Sequence, residues 1–100
     1  MQSHYAADFT RELGSSEADW LRCLPGAVRD QPLSLPGPGV AQVVIGDGAL
    51  QLDWHSLPPR QIAMARFPRL MVHFRFVDVS DEARHRFMKH FDLYMQRGGG

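Results

Sequence analysis

The sequence predicts one two-layer α+β domain with an N-terminal helix, a three- to four-stranded antiparallel meander and a C-terminal helix packed on one sheet face. Two runs of alternating apolar residues flank Asp47-Gly48, which is typical of a β-hairpin. Residues 69–79 also alternate, and residues 80–97 carry apolar side chains at helical spacing. Because a sheet with one apolar face must be covered, we expect both amphipathic helices to pack on it.

The first segment, residues 1–14, holds Tyr5, Phe9 and Leu13 at a spacing of four. This spacing predicts either one face of an amphipathic helix or a docking arm that lies on the core. Ser15 and Ser16 then precede EADWLRCL, and serine followed by acidic residues favours a helix start. Pro25-Gly26 is expected to end or interrupt this helix.

The middle of the chain is predicted to form short strands separated by proline and glycine. A short edge strand is expected at Leu33–Leu35, and the Asp47-Gly48 hairpin follows. Residues 57–60, Leu-Pro-Pro-Arg, predict a turn, and residues 61–67 suit a short strand. Pro68 is expected to force a bulge or a break, because it cannot donate a ladder hydrogen bond.

The strongest predicted strand is RLMVHFRFVDV, residues 69–79. Alternation turns one set of its side chains toward the core: Leu70, Val72, Phe74 and Phe76. Ser80 then caps the last helix, whose apolar positions include Phe87 and Phe91. Since Phe74 and Phe87 both lie on apolar faces, we expect them to meet between sheet and helix.

The chain ends in Arg97-Gly98-Gly99-Gly100, which resembles the tail of ubiquitin and of bacterial sulfur-carrier proteins. That resemblance implies an exposed carboxylate that is adenylated and passed on. In those families the tail leaves a strand, whereas the element expected before it here is a helix. The preferred interpretation is a domain over residues 1–97 that a helix stop ends, followed by a flexible glycine tail at 98–100.

Composition is that of a globular chain, with 44% apolar and 22% charged residues. The N-terminus lacks a cationic start before an apolar run, so no signal peptide is expected, and no apolar stretch is long enough to span a membrane. Cys23 is the single cysteine, so no intramolecular disulfide can form. A cytoplasmic location is the expectation.

The acidic and basic residues are unevenly distributed. Residues 1–50 hold three bases and six acids, and residues 51–100 hold eight bases and five acids, giving −3 and +3. No acid lies between Asp53 and Asp78. The residues predicted to form a binding surface come from this stretch: Arg66, Arg69, Met71, His73 and Arg75. Arg60 is a further base that could join them.

Catalytic and metal-binding patterns are weak. Cys23 lies beside the apolar stripe of the first helix, which indicates a buried structural cysteine. Asp53, His55 and His73 could assemble a site across adjacent strands, but a polar sheet face is the preferred interpretation. Neither a Cys-x-x-Cys nor a Gly-x-Ser-x-Gly pattern is present. We therefore predict no catalytic residue, no metal ligand and no cofactor.

The leading hypothesis is a small, non-enzymatic, cytoplasmic protein-interaction domain that binds a protein partner, with a second copy of itself as one option, through a cationic sheet face. Met71 among the arginines suits a protein contact. The first alternative is a binding module for a small anionic ligand or nucleic acid. Nucleic acid is less favoured because no pair of exposed aromatics alternates with the bases. The second alternative is a glycine-tail carrier protein or a small enzyme.

Overall fold

The computed structural model describes residues 5–98 and shows two helices and one five-stranded antiparallel sheet. In chain order the elements are β1 (Asp8–Leu13), α1 (Glu17–Val28), β2 (Leu33–Gly37), β3 (Val40–Ile45), β4 (Gly48–Ile62), β5 (Ala65–Val77) and α2 (Asp81–Gly98). The strand order across the sheet is β1-β5-β4-β3-β2. The predicted α+β class is confirmed, whereas the predicted order of helices and number of strands are wrong.

The first element that the structure describes is a strand, where the sequence predicted a helix or a docking arm. Residues 8–13 form edge strand β1, which pairs antiparallel with β5 from Asp8↔Arg75 to Leu13↔Leu70. A spacing of four is a multiple of the strand period as well as near the helical one, so the pattern fits both structures. The added strand raises the sheet from the predicted three or four strands to five.

Helix α1 begins as predicted but does not end as predicted. Ser16 is the N-cap, and its side chain accepts a hydrogen bond of 3.1 Å from the Asp19 amide. The helix continues through Pro25-Gly26 to Val28. A Cβ added at Gly26 would overlap the Tyr94 side chain of α2, so this glycine allows the two helices to approach closely. Gly26 is therefore a packing position and not a helix stop.

The β3–β4 hairpin is confirmed, with its turn one residue earlier than predicted. Ile45 pairs with Gly48, and Gly46 adopts a φ of 59°. A positive φ at the first turn residue matches a type II′ hairpin turn, where glycine is preferred. The edge strand predicted at Leu33–Leu35 is β2, which extends to Gly37.

The turn predicted at residues 57–60 is wrong, because β4 continues through it to Ile62. The β4–β5 register shifts between Leu57 and Arg60, opposite Pro68, so the predicted bulge is present. The β3 pairing ends at Asp53, and the β1 pairing ends at Leu70. Prolines are tolerated beyond these points because no third strand needs their missing amide hydrogens.

The core lies between the helices and one sheet face. The largest fully buried side chains come from both layers: Trp20, Phe74, Phe91, Leu24, Leu50, Leu52, Leu70, Met88, Val28, Val43 and Val72. Phe74 meets Phe91 edge-on with ring centroids 5.6 Å apart, and Phe87 meets Phe76 at 6.1 Å. The expected faces are therefore correct, but α2 sits one turn from the predicted Phe74–Phe87 pairing.

Candidate functional site

The outer face is the side of the sheet turned away from the helices. It carries Asp8, Thr10 and Glu12 of β1, Gln51, Asp53 and His55 of β4, and Arg69, Met71, His73 and Arg75 of β5. The β5 residues between these positions are buried, with Leu70, Val72 and Phe74 each 0% exposed. Four of the five predicted binding residues therefore share one face, and Arg66 is the exception.

Arg69 is held by an acid that the sequence pattern did not place beside it. Its Nε and Nη2 donate to the two carboxylate oxygens of Glu12 at 2.9 and 3.0 Å, and its Nη1 donates to the Pro58 carbonyl at 3.0 Å. The hydrogen bond from Arg69 lowers the pKa of Glu12. This fork geometry leaves Arg69 largely neutralised within its own chain.

His73 stands between two carboxylates on neighbouring strands. Its Nε2 lies 2.7 Å from Asp8 Oδ1, and its Nδ1 lies 3.4 Å from Asp53 Oδ2. The hydrogen bond to Asp8, followed by the charges of Asp8 and Asp53, raises the pKa of His73. The outer face thus combines Arg69 and Arg75 with three acids and is of mixed charge.

Arg66 lies apart from the outer face, on a projecting hairpin formed by residues 58–68. Along β5, alternation places Arg66 on the opposite side from Phe67, Arg69 and Met71. Arg60, which pairs with Phe67 in the sheet register, lies on the outer-face side instead. The charge of Arg60 reaches Glu12 and further lowers the pKa of that carboxyl.

The projecting hairpin is fully exposed along its length. All residues from 58 to 68 are exposed, and Ala63 turns the chain with a φ of 53°. Three large apolar side chains stand in solvent here: Ile62 is 57%, Met64 96% and Phe67 48% exposed. A hairpin of two strands has no second layer to cover its side chains, so these three remain in solvent. The acid-free stretch between Asp53 and Asp78 predicted the positive charge of this element but not its exposed apolar side chains.

The charge and edges of the projecting hairpin are also distinctive. It contains Arg60 and Arg66 but no acid, and neither arginine forms an ion pair with residues 5–98. Pro58, Pro59 and Pro68 lie on its two strands. Proline on an edge strand opposes the addition of another strand, so the side chains are the groups available for contact.

A half-buried cluster fixes β1 to α2 on the other side of the sheet. Arg11 donates to both carboxylate oxygens of Asp92 at 2.6 and 3.1 Å, and the Tyr5 hydroxyl donates to Asp92 at 2.8 Å. Burial lowers the pKa of Arg11, but the hydrogen bond and charge of Asp92 outweigh it and raise the net pKa. The Arg11 guanidinium also lies 5.4 Å from the Phe74 ring centre. We assign this cluster a structural role.

Two neighbouring cavities, together called the groove, lie along α2 beside the end of α1. The first, of about 530 Å³, lies among the end of α1, the β3–β4 turn and the start of α2. The second, of about 460 Å³, is lined by Arg29, His90, Leu93, Tyr94 and Arg97. Arg29 and His90 line both cavities.

Within residues 5–98, no group of three or more His, Cys, Asp or Glu side chains is placed to hold a metal ion. Cys23 is buried in α1. None of the described helices has the length and apolarity needed to cross a membrane.

Comparisons with protein-family models, with curated proteins and with solved structures each find no match to this chain. Its function is therefore inferred from its own side chains.

Proposed function

We propose that this chain is a small, cytoplasmic protein-interaction domain that binds a protein partner through the projecting hairpin and the adjoining outer face. The observation that carries the proposal is the exposure of Met64, at 96%, between exposed Ile62 and Phe67. Exposed apolar side chains that lie together often mark interaction sites, whereas single ones are common on any surface.

The chemistry of the projecting hairpin favours a protein over a nucleic acid. Met, aromatic side chains and Arg are enriched at the cores of protein interfaces, and Met64, Phe67 and Arg60 supply one of each. A nucleic-acid surface needs a continuous excess of positive charge. Here the adjoining outer face places acids beside its bases, as the Glu12–Arg69 ion pair shows.

A second copy of this chain is the first partner to test, because the side of the hairpin and the outer face together carry balanced charge. Arg60, Arg69 and Arg75 are three positive groups, and Asp8, Glu12 and Asp53 are three negative groups. The outer faces of two copies can therefore meet without net repulsion, with the hairpin of each copy, which carries Arg60 and Arg66 and no acid, against the acidic residues of the other copy's outer face. Such a contact also buries the apolar side chains of both hairpins, so high salt should weaken it only in part.

The experiment measures molar mass by light scattering after size exclusion, across a range of protein concentrations. One copy has a mass of 11.3 kDa, so two have 2 × 11.3 = 22.6 kDa. We expect the heavier species for the unaltered protein and the lighter one for the triple variant Ile62→Ser, Met64→Ser, Phe67→Ser. Leu35→Ser is the matched control, because Leu35 is 55% exposed on β2, away from the projecting hairpin.

A photo-reactive amino acid at position 64, used in the native host, extends the test to other proteins. If the protein is a monomer but position 64 cross-links to another protein and position 35 does not, the partner is not a second copy and the interaction proposal stands. If the protein is a monomer and position 64 yields no more cross-links than position 35, the proposal is overturned.

A further inference from the structure

We propose that the groove between the ends of α1 and α2 binds a small phosphorylated ligand, with its phosphate between Arg29 and Arg97. The second cavity of the groove, of about 460 Å³, has the size of a small-molecule site. Among the residues that the structure describes, its lining contains two guanidinium groups, one imidazole and one phenol, and no acidic side chain. This site is separate from the projecting hairpin and does not rest on the proposed protein interaction.

Guanidinium groups fit a phosphate because their planar donors make two parallel hydrogen bonds to its oxygens. Neither Arg29 nor Arg97 forms an ion pair with the residues that the structure describes, so both charges are available. Leu93, which is 46% exposed, adds an apolar wall beside them. The lining therefore fits a ligand with a phosphate at one end and a small apolar group at the other.

Two further side chains of the groove are positioned by α1. His90 Nε2 lies 3.3 Å from the Gly26 carbonyl, and Tyr94 packs against Gly26, where a Cβ would overlap its ring. With Nε2 donating to Gly26, the other ring nitrogen can donate to an anion only when the imidazole is protonated. The two arginines are therefore the main donors.

The adjoining cavity limits where the phosphate can sit. It adds Arg86 to the shared Arg29 and His90, but it is also lined by Asp30, Asp47 and Asp78. Three carboxylates would repel a phosphate there. The acid-free cavity around Arg97 is thus the position for the anionic end of the ligand.

The backbone of Arg29 is a second observation at this groove, and Ala63 and Asp78 are the other described non-glycine residues with a positive φ. Arg29 is the C-cap of α1 with φ 61° and ψ −122°, a conformation that glycine adopts readily and other residues avoid. Helices commonly end with glycine in the left-handed region. Strain of this kind is retained most often at functional sites, and here it places a guanidinium where both cavities meet.

The test titrates the full chain with phenyl phosphate, followed by amide and arginine side-chain NMR signals and by calorimetry. Benzyl alcohol, which lacks the phosphate, is the ligand control, and inorganic phosphate tests whether the apolar group contributes. We expect millimolar or tighter binding of phenyl phosphate, with shifts at Arg29, Tyr94 and Arg97, and no comparable shifts with benzyl alcohol. Absence of binding at about 10 mM phenyl phosphate, a concentration that would largely saturate a site of millimolar affinity, overturns the proposal.

Variants separate binding from folding. Arg29→Gly removes the guanidinium but relieves the left-handed strain, so the melting temperature should hold or rise while phenyl phosphate binding falls about tenfold or more. Arg97→Gln should weaken binding similarly, and it keeps the test decisive if Arg29→Gly alters the fold. Arg66→Gln on the projecting hairpin is the charge-matched control and should bind as the unaltered protein does. If Arg29→Gly and Arg97→Gln both bind phenyl phosphate as tightly as the control Arg66→Gln, the assignment is overturned.

Discussion

The body and the tip of the β4–β5 hairpin are made from the same two strands but differ in burial and in the number of neighbouring strands. In the body, residues 70–76 alternate between buried and partly or fully exposed positions, with helices on one face and β1 alongside. In the projecting hairpin, residues 58–68 are all exposed, and no third strand pairs with them among residues 5–98. The packing of the body accounts for its apolar side chains, whereas the apolar side chains of the hairpin have no packing of this kind and are the ones that we propose contact a partner.

The largest expected difference in stability is between variants of two phenylalanines on β5. Phe74 is 0% exposed and packs against Phe91, whereas Phe67 is 48% exposed on the projecting hairpin. Phe74→Ala should lower the free energy of unfolding by about 3–5 kcal/mol, through lost burial and the cavity left behind. Phe67→Ala should change it by about 0.5 kcal/mol or less, the usual range for exposed sites. Urea unfolding of both variants gives the comparison, and a similar loss for the two would mean that the hairpin folds back onto the body.

A smaller difference in stability is expected between variants of the two ion pairs made by β1. The Arg11–Asp92 pair is half-buried and includes Tyr5, whereas the Glu12–Arg69 pair lies on the outer face. Asp92→Ala should cost about 2–3 kcal/mol of unfolding free energy, because it leaves the half-buried Arg11 guanidinium among aromatic rings without its carboxylate partner. Glu12→Ala should cost clearly less than Asp92→Ala, because solvent screens exposed ion pairs. Thermal unfolding at low and high salt measures both, and a larger loss for Glu12→Ala would reverse the roles given to the two pairs.

The smallest effect is a pH dependence on the outer face. The pKa of folded His73 is raised above its ordinary value near 6.5 by Asp8 and Asp53. The stabilising contribution of His73 is therefore fully present below about pH 6.5 and is lost as the pH rises through the folded-state value. We expect the stability difference between the unaltered protein and His73→Gln to shrink between about pH 6 and pH 8, because histidine loses its proton in this range.

His55→Gln is the matched control for this pH series, because His55 is exposed on the same face and makes no hydrogen bond or ion pair with the described residues. The stability difference should change more with pH for His73→Gln than for this control. A pH series for His73→Gln no steeper than that of the control would show that Asp8 and Asp53 do not hold the imidazole in solution.

The predictable parts of the fold were those that local chemistry decides. The Ser16 and Ser80 caps, the β3–β4 hairpin and the buried face of β5 follow from residue types and a clear period. Residues 5–13 could not be decided in this way, because a spacing of four fits a strand and a helix alike. Pro58 and Pro59 look like a turn unless the neighbouring strands are known to end before them.

The candidate site was only partly predictable for a related reason. Alternation alone placed Arg69, His73 and Arg75 on one face, and it also separates Arg66 from them. What β5 cannot reveal is the identity of its neighbour: once β1 pairs with it, Glu12 meets Arg69 and Asp8 meets His73. A surface that looks cationic along one strand is therefore of mixed charge in the sheet.

The pairing of β1 with β5 also sets an order of events during synthesis on the ribosome. Contacts of β1 span 57 residues for Glu12–Arg69 and 65 for Asp8–His73, and the Tyr5–Asp92 contact spans 87. Such distant contacts close large loops and slow the search for the native fold. Strand β1 leaves the ribosome before β5 and is thus among the last strands to find its place, and until β5 forms its apolar Phe9 and Leu13 lack the core on which they pack.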